Sequence, residues 1–449
     1  MPVSRSALLS GALIVVAIVA AVLVWRSRAI TPDLARDQDQ VSPSAEYADA
    51  EAAIEYYRAW LRREPDAVEP RVRLAQVLMQ QARTDGREAD YIPEARQLLD
   101  EALARDSTHY YARTLQASLY NTLHRFELAR DLSRQLIAEY PAHAYTHGTL
   151  IDALVELGEY DEAVRVSDRL QALKPGLPAY SRASYLREIH GDTPGAIAAM
   201  RLAADAEPYG QLGRAWALVH LGGLYLGNAQ PDTAAFVFEG ILQERPNFAP
   251  ALVGLGHVAL ARGDAAEAVR RLGEARVIAP SEAADELLVE AYTMLGDDAR
   301  ARAAAERVLE SLHAAREMGE IVDMEEADFL ADHGMNLDRA LAMARVQVER
   351  RPAHLHANET YAWTLFKNGR AQEAIPYIQR AMALGTGDAM VDYRAAQIYR
   401  AAGRTAEAER FARLALERHV GIESPTAAVH AREMLAGTSG SPIRATSAR

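Results

Sequence analysis

The chain of 449 residues contains no cysteine. Disulfides, thiolate-held metals, a cysteine nucleophile and a lipid-modified cysteine are therefore excluded. The absence does not locate the protein, because a cysteine-free chain tolerates either redox compartment. Glycine (27) and proline (19) are few for this length, which disfavours a many-turned β fold and suits a helical one. Lysine is confined to Lys174 and Lys367, so arginine carries nearly all positive charge. A basic surplus is missing too. The formal net charge of −13 argues against a general nucleic-acid binder, which must displace counterions from phosphates. What is abundant is apolar surface: 49% of residues are hydrophobic, ample for a packed core.

One apolar run stands apart. Ala7 to Trp25 is 19 residues without a charge, and a helix of that length spans about 28 Å, one hydrocarbon core. Arg5 precedes it, Arg26 and Arg28 follow it, and Trp25 sits where an interfacial aromatic belongs. The expectation is a single-pass anchor over residues 1–28, in the membrane through residues 7–25. A cleaved signal peptide is the alternative, but Ser27-Arg28-Ala29 puts an arginine inside the small-x-small site that cleavage needs. Arginines on both sides leave the orientation open, and the bulk is expected on the periplasmic or other extracytoplasmic side. Residues 29–44, polar and holding two prolines, read as a flexible stalk. Residues 437–449 read as a disordered tail.

Between these ends the sequence repeats. An alanine recurs at Ala95, Ala129, Ala163, Ala196, Ala234, Ala268, Ala301, Ala340, Ala374 and Ala408, mostly at steps of 33 or 34. A closing proline recurs at Pro141, Pro175, Pro208, Pro246, Pro280 and Pro352. A glycine recurs at Gly158, Gly191, Gly263, Gly296, Gly334, Gly369 and Gly403, where a first helix would end in a left-handed residue. Small residues such as Gly222, Gly256 and Ala362 allow two antiparallel helices to approach closely. One such pair cannot bury its apolar face alone, so the pairs must stack.

This pattern resembles the tetratricopeptide repeat, whose period is 34. The resemblance covers residues 45–436 and implies an all-α fold: a right-handed superhelical solenoid of about ten helix pairs, preceded by the one transmembrane helix. A half unit opens the array with Ala52, Leu61 and Pro65. Thr84 to Tyr91 is expected to be an inserted loop. The long step between Ser311 and Asp332 is expected to extend a first helix, and a final helix of about Pro425 to Leu435 is expected to cap the stack. The closing third resembles a bacterial subfamily of these proteins through Ala331-Asp332-His333-Gly334, Tyr361-Ala362-Trp363 and Leu384-Gly385-Thr386, a likeness that carries no reaction with it.

No catalytic signature is present: HExxH, GxSxG, GxxxxGK[ST] and GxGxxG are all missing. His143 and His147 lie four apart with no third ligand implied, so a surface or packing role is the better reading. His354 and His356 lie in a loop, and Asp332-His333 reads as turn capping. No cofactor and no metal are expected, and the protein is read as a non-enzyme.

Recognition is the better reading. In the repeat fold the first helices line a concave groove, through the second, fifth, ninth, twelfth and thirteenth positions of each unit. Those positions give Tyr111, Asn121, Tyr145, Asp152, Tyr185 and Trp216 in the first half. The second half adds His257, Glu286, Glu290, Trp363, Phe366 and Tyr393. Aromatics offer rigid apolar area with a polar edge, as binding surfaces do. Glu286 and Glu290, one turn apart, suit a basic ligand segment. The carboxylate clamp of chaperone-binding repeats is absent, since its positions hold Gly148, Asp152, Ser181 and Tyr185. The expected partner is a protein or peptide, bound in a cell-envelope assembly or secretion process. A regulatory adaptor on the cytoplasmic face, similar in plan to the membrane-anchored repeat protein of lipopolysaccharide assembly but without its cysteine module, is the alternative. The sequence does not set the oligomeric state.

Overall fold

A computed structural model describes residues 50–85 and 88–436. The expected anchor, stalk and tail lie outside the described residues. Among the described residues no helix is long and apolar enough to cross a membrane.

The described residues form 22 α-helices and no strand. Helix α1 (Ala50–Arg63) is the opening half unit. Ten antiparallel pairs follow. The first five are α2 (Glu69–Asp85) with α3 (Glu88–Arg105), α4 (Tyr110–Thr122) with α5 (Phe126–Glu139), α6 (Ala144–Glu156) with α7 (Tyr160–Leu173), α8 (Leu177–Ile189) with α9 (Thr193–Asp205), and α10 (Leu212–Gly227) with α11 (Pro231–Glu244). The next five are α12 (Ala249–Ala261) with α13 (Ala265–Ile278), α14 (Glu282–Met294) with α15 (Asp298–Met318), α16 (Asp323–Asp332) with α17 (Leu337–Arg350), α18 (Leu355–Lys367) with α19 (Ala371–Ala381), and α20 (Ala389–Ala401) with α21 (Thr405–Glu417). A short 3-10 turn (Val420–Ile422) and α22 (Pro425–Leu435) close the array.

The local rules are visible at each unit. Most first helices stop at a glycine in the left-handed region, such as Gly263 at φ 77°, which no side chain opposes. Asp192, Asp264 and Asp297 then cap the second helix by accepting a backbone N–H in its first turn. The repeated alanines are fully enclosed from Ala95 to Ala268 and again at Ala340, Ala374 and Ala408. At Gly222 a Cβ would stand 2.5 Å from the buried Phe238 ring, and at Gly256 2.6 Å from Leu272. The glycines are where the two helices of a pair touch.

Three expectations are corrected. Ala301 is half-exposed, and the enclosed alanine of its helix is Ala304, one turn later. Residues 84, 85 and 88–91 are helical, since α2 runs to Asp85 and α3 begins at Glu88. The extra length before Asp332 belongs to a second helix. Helix α15 has 21 residues and stops at Gly319, φ 103°, whereas the following first helix α16 has only ten. Gly319 supplies the left-handed residue that ends α15, so the break in the pattern falls there.

The stack also touches itself. The turn inside one pair meets the loop leading into the sixth pair after it, and this recurs on successive rungs. Leu123 O accepts from Ile321 N at 3.3 Å, and His124 Nδ1 lies 3.0 Å from Ile321 O. On the next rung Leu355 N donates to the Tyr160 hydroxyl at 2.9 Å, and a Cβ on Gly158 would stand 2.6 Å from the His354 nitrogen. On the third a Cβ on Gly191 would overlap the Gly385 carbonyl oxygen. Leu355 and Leu384 pack into the apolar cluster of Tyr160, Leu186 and Ile189. Partners on these rungs are 194 to 198 residues apart. The coil therefore closes on itself about once per six pairs.

Candidate functional site

Closure changes what the groove is. The groove becomes the lumen of the coil, and first helices of the early pairs lie beside those of the pairs six later along its wall. Glu188 on α8 lies within electrostatic reach of Asp388 and His356. Glu423 is surrounded by Asp388, Glu359, Arg394 and Glu188. The chain's own end enters the same space: Thr426 donates to Glu290 at 3.2 Å, and Ile422 packs against the α10–α12 cluster.

The lumen is acidic. Burial pushes Glu286 up to about 7, helped by Glu282, Asp328 and Asp332. Burial likewise pushes Glu423 up to about 8, with Asp388 and Glu359 adding to it. Glu188 and Glu290 are raised by burial in the same way. Glu286 and Glu423 nevertheless touch solvent. Water reaches them through the lumen, while the surrounding walls still desolvate them.

The aromatic candidates divide. Trp216 is 42% exposed, with the His220 ring 4.2 Å from its own, and Tyr185 is 37% exposed. Tyr145 is half-buried, as is Tyr111, where Arg73 sits over the ring at 5.8 Å. Trp363 and Tyr393 do not present open surface, being 5% and 9% exposed. The Trp363 indole donates to Asp332 at 2.6 Å and stacks on Phe366 at 4.8 Å, and the Tyr393 hydroxyl lies 3.1 Å from His430 Nδ1. Two polar candidates are also engaged within the wall. Asn121 donates to the Thr149 carbonyl at 2.9 Å, and Asp152 accepts both ends of the Arg182 guanidinium at 2.7 and 2.6 Å. His257 is half-buried beside Ile422, and burial lowers its pKa.

The structure also shows a hub that helical phase alone missed. Arg394, on α20, is buried and bonds Asp328, Asp332 and Glu359, each at 2.9 Å, while covering the Trp363 ring at 5.3 Å. The available signal was an arginine directly after a groove tyrosine. Asp332 therefore ties α16 to α18 and α20, a larger part than turn capping. His143 at the N-cap of α6 and His147 within the helix are both buried, and they bond Thr146 and the His143 carbonyl respectively. His354 caps α18. Among the described residues no group of three acidic, histidine or cysteine side chains is placed to hold a metal. A surface cavity of about 370 Å³ lies between Leu309, Arg316, Leu330 and Arg339, none of them a groove candidate, and the Arg316–Glu326 pair is on its wall.

With this geometry in place, two segments match tetratricopeptide-repeat family models, residues 225–287 and residues 362–428. These two segments carry tetratricopeptide repeats. Over 184 residues, 39% of the chain, it is 27% identical to the cellulose synthase operon protein C of Pseudomonas fluorescens, and that match spans 14% of the relative's length. Among solved structures, a tetratricopeptide repeat protein from Parabacteroides merdae superposes at a TM-score of 0.42 with 20% identity, covering 54% of this chain and 91% of that one. The type IV pilus biogenesis factor PilW superposes at 0.38 with 16% identity, covering 45% of this chain and 92% of that one. Tetratricopeptide repeats are protein-interaction modules, so the lumen of these repeats is the candidate binding surface.

Proposed function

We propose that the protein is a non-catalytic scaffold that holds an extended, basic segment of a partner protein in its lumen. The observation that carries this reading is the exposure of two first-helix aromatics, Trp216 and Tyr185, the latter within electrostatic reach of Glu188, in a coil whose Glu286 and Glu423 carboxyls are partly desolvated by protein walls. A lysine- or arginine-rich segment supplies the charge that those carboxyls lack, and its aliphatic stems pack on the aromatic faces. A pre-formed lumen keeps the ordering cost on the protein side small. The apolar run 7–25 supports a membrane tether that confines the partner to a surface and raises its effective concentration. The likeness to a protein of a cellulose synthase operon supports a place in a cell-envelope process, on the extracytoplasmic side.

The test is fluorescence anisotropy of the full chain with an arginine-rich twelve-residue peptide, against an acidic peptide of equal length. The basic peptide is expected to bind and the acidic one not. Trp216→Ala is expected to weaken binding by about 2 kcal/mol, roughly thirtyfold, as for an aromatic anchor. Equal affinity for both peptides, or no effect at Trp216, defeats the proposal.

A further inference from the structure

The contact between turns of the coil has an unusual residue at its first rung. Seven of the pairs end their first helix on a left-handed glycine. The pair α4/α5 has His124 there instead, at φ 53°, and the pair α10/α11 has Ala229, at φ 55°. A non-glycine residue in that region costs about 1–2 kcal/mol, and such strain persists only where the surroundings over-determine it. Here the surroundings are the next turn of the coil. The His124 ring bonds the Ile321 carbonyl through Nδ1 at 3.0 Å, reaches Glu320 through Nε2 at 3.3 Å and lies 3.7 Å from Glu325. The Phe126 ring stacks on it at 5.2 Å.

The cluster is unbalanced in charge. Glu88 from α3, Glu282 from α14 and Glu325 from α16 all act on Glu320, and His124 is the cation that opposes them. Arg83 on α2 acts on Glu88. Arg96 from α3 and Arg125 reach this rung too, but they bond the Met318 and Gly319 carbonyls. Beyond them Glu156 faces Arg351, His124 and His356 on the second rung. Four carboxyls around one imidazole cannot all be ionised in an enclosed space without repulsion.

We propose that this seam is a latch closed by a proton: protonation within the His124–Glu320–Glu325 cluster holds adjacent turns of the coil together, and loss of that proton to solvent lets the turns part. Burial pushes Glu320 up to about 7, which places the switch near neutrality. Because the lumen is closed by this seam, the latch sets how easily a segment enters it. That consequence rests on the binding reading above, whereas the opening itself needs no ligand.

Freedom from cysteine makes the test direct. Asp131→Cys on α5 and Glu349→Cys on α17, both at exposed sites, place one spin label on each side of the seam in the full chain. Pulsed electron resonance then reads the distance from pH 5.5 to 9. A single short distance is expected at low pH. A longer population is expected to grow from about a tenth at pH 6 to more than about half at pH 8.5, following one titration near neutrality. Glu320→Gln, neutral at every pH, is expected to keep the short distance throughout, with unchanged helicity by circular dichroism. A second label pair, Glu349→Cys with Glu373→Cys, lies on neighbouring units of one turn and is expected not to respond. A seam distance that is constant with pH overturns the latch, as does a Glu320→Gln chain that opens like its parent.

Discussion

Two glycines with the same backbone and different surroundings isolate the closure of the coil. Gly158 and Gly263 both end a first helix, at φ 76° and 77°. An alanine at either site suffers the left-handed penalty of about 1–2 kcal/mol. At Gly263 that is the whole cost, since nothing lies within 4 Å of the added Cβ. At Gly158 the same Cβ stands 2.6 Å from both the Ala353 carbonyl carbon and the His354 nitrogen. These are backbone atoms on the next turn of the coil and no rotamer removes them. The rung must separate or strain, adding about 1–3 kcal/mol, the usual cost of overpacking. Gly158→Ala is therefore expected to lose about 2–5 kcal/mol and Gly263→Ala about 1–2. Urea unfolding measures the totals, and native-state hydrogen exchange locates the difference. The Ile321 and Leu355 amides, bonded to Leu123 O and the Tyr160 hydroxyl, should lose protection in Gly158→Ala alone. Equal destabilisation within about 0.5 kcal/mol, with both amides still protected, would refute the closed coil.

Further outcomes follow from the same structure. Arg394→Met leaves Asp328, Asp332 and Glu359 without their shared cation. It should cost about 3–5 kcal/mol, visible as early exchange across α16, α18 and α20. Gly222→Ala pushes a methyl into the Phe238 ring and should cost about 1–3 kcal/mol, recovered in part by Phe238→Leu. Glu286 and Glu320 have folded pKa values of about 7, above their unfolded value. The folded state thus binds extra protons between about pH 4.5 and 7. Its stability is full below that window and falls as pH rises through it, so the melting temperature should drop from pH 5 to pH 8. Binding of a basic peptide should show the opposite trend and strengthen over pH 6 to 8 as Glu286 ionises, read by anisotropy. At the acid end, Glu69 is held down to about 2 by its hydrogen bond to His109 and by Arg73. Its contribution is present above about pH 4.5 and lost as pH falls towards 2, an effect that Glu69→Gln should abolish.

The helix pairs were legible because their determinants are local. The enclosed alanines, the left-handed glycines and the capping aspartates all lie within one 34-residue unit, and α22 begins and ends where the pattern placed it. Closure of the coil was not legible. Its contacts join residues nearly 200 apart, and a period of 34 says nothing about how many units complete a turn. A histidine at position 124, in a column that is mostly glycine, was no sufficient trace, because Ala229 departs from the same column. Candidate site residues suffered from the same blindness. Helical phase places Trp363 and Tyr393 on the inner face, and they are there. In so tight a coil the inner face of the late pairs is packed by Arg394 and α22, which only the third dimension reveals. Trp216 and Tyr185 stay exposed.

The account stands or falls on where a partner touches. A photo-crosslinking residue at position 216 reports the lumen, and one at position 236, where Phe236 is exposed on a second helix, reports the outer face. With the arginine-rich peptide, and then with the native partner in cells, the account predicts adducts from position 216 and none from 236. Adducts from 236 with none from 216 would contradict it.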